Sequence, residues 1–326
     1  MEWSISKSKM FAKCQRKWYY YVMVANPRSN DPLRKEVYHL KQLQSVFAWR
    51  GSLVDSVIQQ FLVPEIRKHN LPSEEKVLEY AFQLMEKQIA FGKEKKHLCN
   101  EVTKSNTDGY CAFFDIEYGQ GLAEADLQRA KEDVSISLKN LLRSDFLKDI
   151  VMNNLYAIAQ RELAFQLDGD IQISCTPDLV VFFKDRPPTI VDWKVHAFGN
   201  TEAWLQLGIY AIALCKTKPH KDFPNGWERL PSNIRLIEFQ LLKNFQREYS
   251  IKPEDIVDIE DYAYESSLQM KRVVNGKKYP ELDAAPFQTA RSPGDCEKCQ
   301  FKKLCWKNTI VRKEPPVQMI LGGFVQ

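Results

Sequence analysis

The stretch "TPDLVVFFKDRPPTIVDWKV", residues 176 to 195, sets two carboxylates and an amine into segments that otherwise have the composition of core strands. Successive strand side chains alternate faces, so Asp192 and Lys194 project to one side and Trp193 to the other. Asp178 lies on the neighbouring strand, where an antiparallel pairing brings its carboxylate beside that of Asp192. Like charges in apolar surroundings are costly unless a cation or hydrogen bonds compensate, so this pattern suggests a divalent metal held by Asp178 and Asp192. Oxygen ligands suit Mg²⁺ or Mn²⁺ rather than zinc. The same residue types also fit an exposed ion pair on the solvent face of a half-buried strand, which is a common arrangement. Two features weigh towards the metal. Asp178 follows Pro177 in a run that is apolar on both sides, and the next helix places Gln206 and Tyr210 at i and i+4, on one face.

A second chemical group comes from the cysteines. Cys296, Cys299 and Cys305 form "CEKCQFKKLC", and Cys14 stands far upstream in "FAKCQRKWYYY". A disulfide framework is not expected in a chain of 326 residues that opens without the apolar run of a secretory signal. Clustered thiolates point instead to a metal or a cluster, and spacing alone accommodates either a four-thiolate Zn²⁺ site or an iron-sulfur centre. Cys175 and Cys215 sit in apolar segments and read as small core residues.

These groups must be positioned by the elements around them. Residues 4 to 25 read as a helix capped by Ser4 or Ser6, and 47 to 69 as a second helix that Pro64 kinks or divides. Residues 73 to 96 and 124 to 147 follow as amphipathic helices. The period then changes: "LYAIAQRELAFQL" and "IQISCTPDLVVFF" flank the hairpin signal "DGD", and "PTIVDWKV" follows the turn residues "KDRPP", giving three consecutive strands. A buried helix over "TEAWLQLGIYAIALCK", a strand over "NIRLIEFQLLK" and a closing helix from Lys252 to Val274 complete an α/β core with helical additions. One domain is expected, with N-terminal helices over 1–69, a helical insertion over 70–150, the α/β core over 151–275, and a cysteine segment over 284–326 joined to Cys14.

Composition sets bounds. Hydrophobic residues make up 44% and charged residues 27%, ordinary for a globular protein able to bury a core. No stretch approaches the roughly 18 apolar residues of a membrane span, so no membrane partner is expected and a cytoplasmic location is the default. The net charge of +4 permits an anionic partner without requiring one.

Pro177-Asp178, then Asp192-Trp193-Lys194, then Gln206 and Tyr210 as Q-x-x-x-Y resemble the motif set of the PD-(D/E)xK nuclease superfamily, in its RecB-like iron-sulfur branch. "SISKSKMFAKCQRKWYY" and "RGSLVDSVIQ" are similar to that branch's N-terminal helix and its R-G-x-x-x-H helix, and the cysteine spacing is similar to that of the CRISPR-associated Cas-four exonucleases and AddB-type subunits. The resemblance implies a restriction-endonuclease-like core, a central mixed sheet flanked by helices, and a metal-dependent nuclease that hydrolyses phosphodiester bonds of single-stranded DNA or DNA ends. It implies Asp178, Asp192 and the Trp193 carbonyl as Mg²⁺ or Mn²⁺ ligands, and Lys194 as the group that orients water or stabilises phosphate charge. Gln206 and Tyr210 would contact the DNA backbone beside the metal. Glu162 matches a carboxylate of the preceding strand, with a plain strand-face role as its alternative. Cys14, Cys296, Cys299 and Cys305 would hold a 4Fe-4S cluster, with Zn²⁺ as the alternative, amid basic and aromatic neighbours suited to a single strand. Asp55 stands where the family offers a metal-binding His, and none of the five histidines replaces it; His196 reads as incidental. An Asp keeps an oxygen ligand. A nuclease-like DNA-binding scaffold with weak or no cleavage is the second function class, and recombination or CRISPR-adaptation proteins are the implied partners.

Overall fold

The computed structural model describes residues 2–310 except 100, 105, 108, 120, 169, 196–202 and 219–222, with the side chains of 307–310 left out. The N-terminal half runs β1 (Glu2–Trp3), α1 (Ile5–Lys13), α2 (Gln15–Trp18), α3 (Pro32–Lys41), α4 (Val46–Val57), α5 (Val63–Ile66), α6 (Glu74–Lys93), α7 (Phe114–Glu117), α8 (Glu124–Arg143) and α9 (Asp145–Asn153). The C-terminal half runs β2 (Asn154–Ala159), β3 (Leu163–Leu167), β4 (Ile171–Cys175), β5 (Leu179–Phe183), β6 (Thr189–Lys194), α10 (Ala203–Lys216), β7 (Arg235–Gln240), β8 (Phe245–Tyr249), α11 (Pro253–Val274), α12 (Pro293–Glu297) and α13 (Lys302–Ile310).

The strands form two mixed sheets, one ordered β1-β4-β3 and one ordered β2-β5-β6-β7-β8. In the larger sheet only β6 and β7 run parallel; the other neighbours are antiparallel. Its central strands read as continuous apolar runs because both faces are covered. Val180, Phe182, Ile190 and Leu236 face α10, α11 and the N-terminal helices. Leu179, Val181, Val191, Ile237 and Phe239 face the other way, into a core shared with α4, α6, α8 and α9. This is the α/β architecture expected of a restriction-endonuclease-like core. α10 lies close on α11 because Gly208 offers no side chain there: a Cβ would come within 2.6 Å of Ile259 Cδ1.

Several expected elements are divided. The two long apolar runs each serve both sheets rather than forming one strand apiece. "LYAIAQRELAFQL" breaks between β2 and β3 at Gln160, whose φ of 51° is in the left-handed region, and "IQISCTPDLVVFF" breaks between β4 and β5 at Thr176–Asp178, where Pro177 supplies no N–H for a ladder. Residues 4–25 are α1 and α2, parted at Cys14, followed by wide π-type turns over Tyr19–Val24. Ser4 is the cap, accepting from the Lys7 N–H at 3.3 Å. The helix expected over 47–69 passes from α4 through wide turns at Ile58–Leu62 into α5, with Pro64 in the first turn of α5. The helix expected over 124–147 ends at Ser144, whose hydroxyl caps α9. Among the elements not read from the sequence, β1 is two residues long, α3 follows a short polar loop, and β8 is a charged edge strand; α7, α12 and α13 are short helices.

Candidate active site

Strand register places the chemistry at one end of the larger sheet. Leu179 pairs with Val191, so Asp178, one step before β5, comes opposite Asp192 on β6. Asp178 accepts the Trp193 backbone N–H at 2.9 Å through Oδ2 and the Gln160 side-chain amide at 3.1 Å through Oδ1. The left-handed turn at Gln160 therefore separates the two sheets and also aims one metal-type ligand. Asp192 is almost fully buried, accepts from Gln206 Nε2 at 2.9 Å, and forms an ion pair with Lys194. Gln206 Nε2 also donates to the Tyr210 hydroxyl at 2.7 Å, so the i, i+4 pair on α10 faces this site. The Trp193 ring is buried on the opposite face against Phe146 and Phe239.

The charges perturb one another strongly. Burial, then Asp192 and Asp55, hold the Asp178 carboxyl well above its ordinary range. Burial also raises the Asp192 carboxyl, with Lys194 opposing and Glu238 adding. Burial and Asp192 push the Asp55 carboxyl up to about 7. Burial opposes the Lys194 charge, yet Asp192, Asp178 and Asp55 together raise its pKa. Burial and the nearby carboxylates raise the Tyr210 phenol as well. Thus α4, from the helical layer, brings Asp55 into the field of the two strand carboxylates.

A divalent cation fits this donor set, since three hard oxygen ligands with one ammonium leave an excess of negative charge that a cation offsets. Among the described residues no three His, Cys, Asp or Glu side chains close around one point, because Asp178 and Asp192 are each turned onto amide donors. Glu162, exposed at the start of β3, accepts from Ser174 at 2.9 Å. His196 lies outside the described residues.

Glu238 escaped the sequence reading. It pairs in register with Asp192, is fully buried, and is held by Tyr249 at 2.8 Å and Gln240 at 3.0 Å. The signal was present: a lone carboxylate in the apolar run "RLIEFQLL" is the same kind of signal that picked out Asp192.

The four cysteines, Cys14 far along the chain from the others, share one cavity without closing around a point. Cys14, Cys296, Cys299 and Cys305 line one cavity of about 380 Å³, together with Lys13, Lys17 and other residues. The Cys14 thiol caps α2 through the Lys17 N–H at 3.3 Å. Burial and the neighbouring thiols Cys14 and Cys305 raise Cys296; burial leads for Cys299 too. Soft thiols facing one cavity fit a zinc or iron-sulfur group. Protein contacts already join the segments: Arg16 N–H donates to the Gln288 carbonyl at 3.0 Å, the Tyr19 hydroxyl to the Leu282 carbonyl at 2.6 Å, and Phe287 stacks on Tyr19.

A mixed sheet that presents two carboxylates and a lysine from adjacent strands, with a helix glutamine against them, defines a metal-dependent phosphodiester hydrolase. The family comparison agrees: the PD-(D/E)XK nuclease superfamily matches residues 2–306, and the chain belongs to that superfamily. Its members act on DNA and generally use Mg²⁺ or Mn²⁺. A search of curated proteins gave no match. Among the described residues no helix is long and apolar enough to cross a membrane.

Proposed function

We propose that the chain is a deoxyribonuclease that acts as an exonuclease on single-stranded DNA or DNA ends. The observation that carries the nuclease reading is the strand register that sets Asp178 opposite Asp192, with Lys194 paired to Asp192 and Gln206 donating to it. Asp55, Asp178 and Asp192, with the Trp193 carbonyl, would hold Mg²⁺ or Mn²⁺, which would supply Lewis acidity at the phosphate and lower the pKa of water. Asp55 does this in place of the histidine more usual at that helix position. Lys194 offsets charge developing on the phosphate oxygens. Gln206 fixes the Asp192 carboxylate, and Tyr210 supports Gln206. Glu162, held by Ser174, serves as an accessory carboxylate in this reading.

The cysteine cavity holds a 4Fe-4S cluster in this reading, supported by four thiols on one cavity wall and by the similarity of the spacing to the RecB-like iron-sulfur branch. The cluster ties the two chain ends together, and the basic and aromatic residues beside it track a single strand. Anaerobically purified protein should be brown, with iron and sulfide bound; a colourless protein with one zinc per chain contradicts the cluster assignment. For the activity, end-labelled single and double strands are incubated with Mg²⁺ or Mn²⁺. Stepwise release of short products from single strands is expected, and internal cuts alone contradict exonuclease action. If no cleavage occurs with either metal, the chain is a DNA-binding scaffold.

A further inference from the structure

The helix that carries Asp55 also walls a second cavity, of about 850 Å³. Ser52 and Ser56 line it one turn apart on α4, and Gln59 joins them from the wide turns that follow. Asp55 directly precedes Ser56 on the same helix and is not itself part of the lining. Gln88 of α6 and, from the loop after it, Lys104 and Tyr110 complete the part of the wall that matters here.

The size lies within the roughly 300–1,000 Å³ of ligand sites, but the lining does not suit an apolar ligand. Its described residues are mostly amides and hydroxyls, with Lys104 as the cation and no carboxylate among them. One lysine is a poor basis for a phosphate site. Amides and hydroxyls are instead the groups that pair with the edges of bases. The Gln88 amide is also fixed in direction. The Trp49 indole N–H can only donate, and it lies 2.5 Å from Gln88 Oε1, so the donor end, Nε2, is the end left to the cavity.

We propose that this amide-lined cavity receives one unpaired nucleobase of the strand whose phosphodiester lies at Asp192, and reads its edge. The inference rests on the nuclease reading above and adds base selectivity to it. An unpaired base is the favoured occupant, because extruding a paired one costs unpairing and unstacking energy. Gln88 Nε2, whose direction Trp49 fixes, and Lys104 offer only donors, so at these two groups the acceptor edges of guanine and thymine are favoured over the cytosine amine.

The test uses the full chain in chelator, so that binding is read without cleavage. Fluorescence anisotropy is measured on labelled oligo-dT and oligo-dC, and on a mixed-sequence strand with an abasic site moved along it. Tighter binding of oligo-dT, and an abasic position that weakens binding about tenfold, are expected. Gln59→Ala and Gln88→Met should flatten the base preference while the salt dependence, set by phosphate contacts, stays as in the wild type. Gln59 is on the surface, so its variant keeps the test independent of any packing loss at Gln88. Salt-sensitive binding with a flat abasic profile, or base preference unchanged in both variants, overturns the cavity assignment and leaves the nuclease reading intact. Failure to bind any strand overturns the cavity assignment, and the nuclease reading is then decided by the cleavage assay with Mg²⁺ or Mn²⁺.

Discussion

At the end of the larger sheet, Asp178 and Asp192 are aimed by backbone and amide hydrogen bonds inside a core buried on both faces. At the chain ends, Cys14 meets Cys296, Cys299 and Cys305 in segments already held by Phe287 stacking and by Arg16–Gln288 pairing. The first region concentrates carboxylates that a single ammonium offsets only in part; the second gathers thiols in segments that protein contacts already join. The difference separates two uses of a metal. In the proposed reading one ion would serve chemistry at a site the sheet already builds, and the other group would fasten elements that the sheet does not reach.

That contrast can be broken by substitution. The largest expected effect is on cleavage: Asp192→Ala should cost about 10³-fold or more, while circular dichroism stays native, because the lost group is needed for chemistry and its removal relieves a buried like-charge contact. Next, Cys299→Ser should lower Tm by roughly 4 °C or more, the shift expected for about 2 kcal/mol, and Asp192→Ala should not. Equal Tm loss in both would erase the distinction. Gln206→Ala should raise the Mg²⁺ concentration for half-maximal cleavage about tenfold, as loss of a ligand-orienting group does.

The smallest effect is on pH. A carboxyl raised to about 7 in the fold binds more protons there than in the unfolded chain, so Asp55 contributes stability at low pH that is lost as pH rises towards and through 7. Metal-free protein should therefore show Tm falling between pH 5 and 8, on the order of a few degrees. Asp55→Asn should shallow that slope, and Mg²⁺ should reverse it in the wild type only. A slope unchanged by Asp55→Asn would remove Asp55 from the shared field.

Much of the site was legible because alternation along a strand is rigid: "VDWK" commits Asp192 and Lys194 to one face whatever surrounds it. The i, i+4 spacing of Gln206 and Tyr210 was equally informative, since one helix turn brings them together. The partition into two sheets was not legible. Nothing in the apolar run 155–167 marks Gln160 as a left-handed residue, because glutamine rarely adopts that conformation and only the surrounding packing imposes it. Glu238 was overlooked because a parallel neighbour strand, remote in sequence, supplies its relation to Asp192. The 850 Å³ cavity was hidden for a similar reason, being assembled from α4, α6 and a loop.

The central claim is that Lys194 and the carboxylates act together on a phosphodiester. Single-turnover cleavage of an end-labelled single strand by wild type and Lys194→Ala, with binding measured in parallel, tests it most directly. The account predicts a rate loss of about 10²-fold or more with strand affinity within a few-fold of wild type. Equal cleavage rates for the two proteins would contradict it.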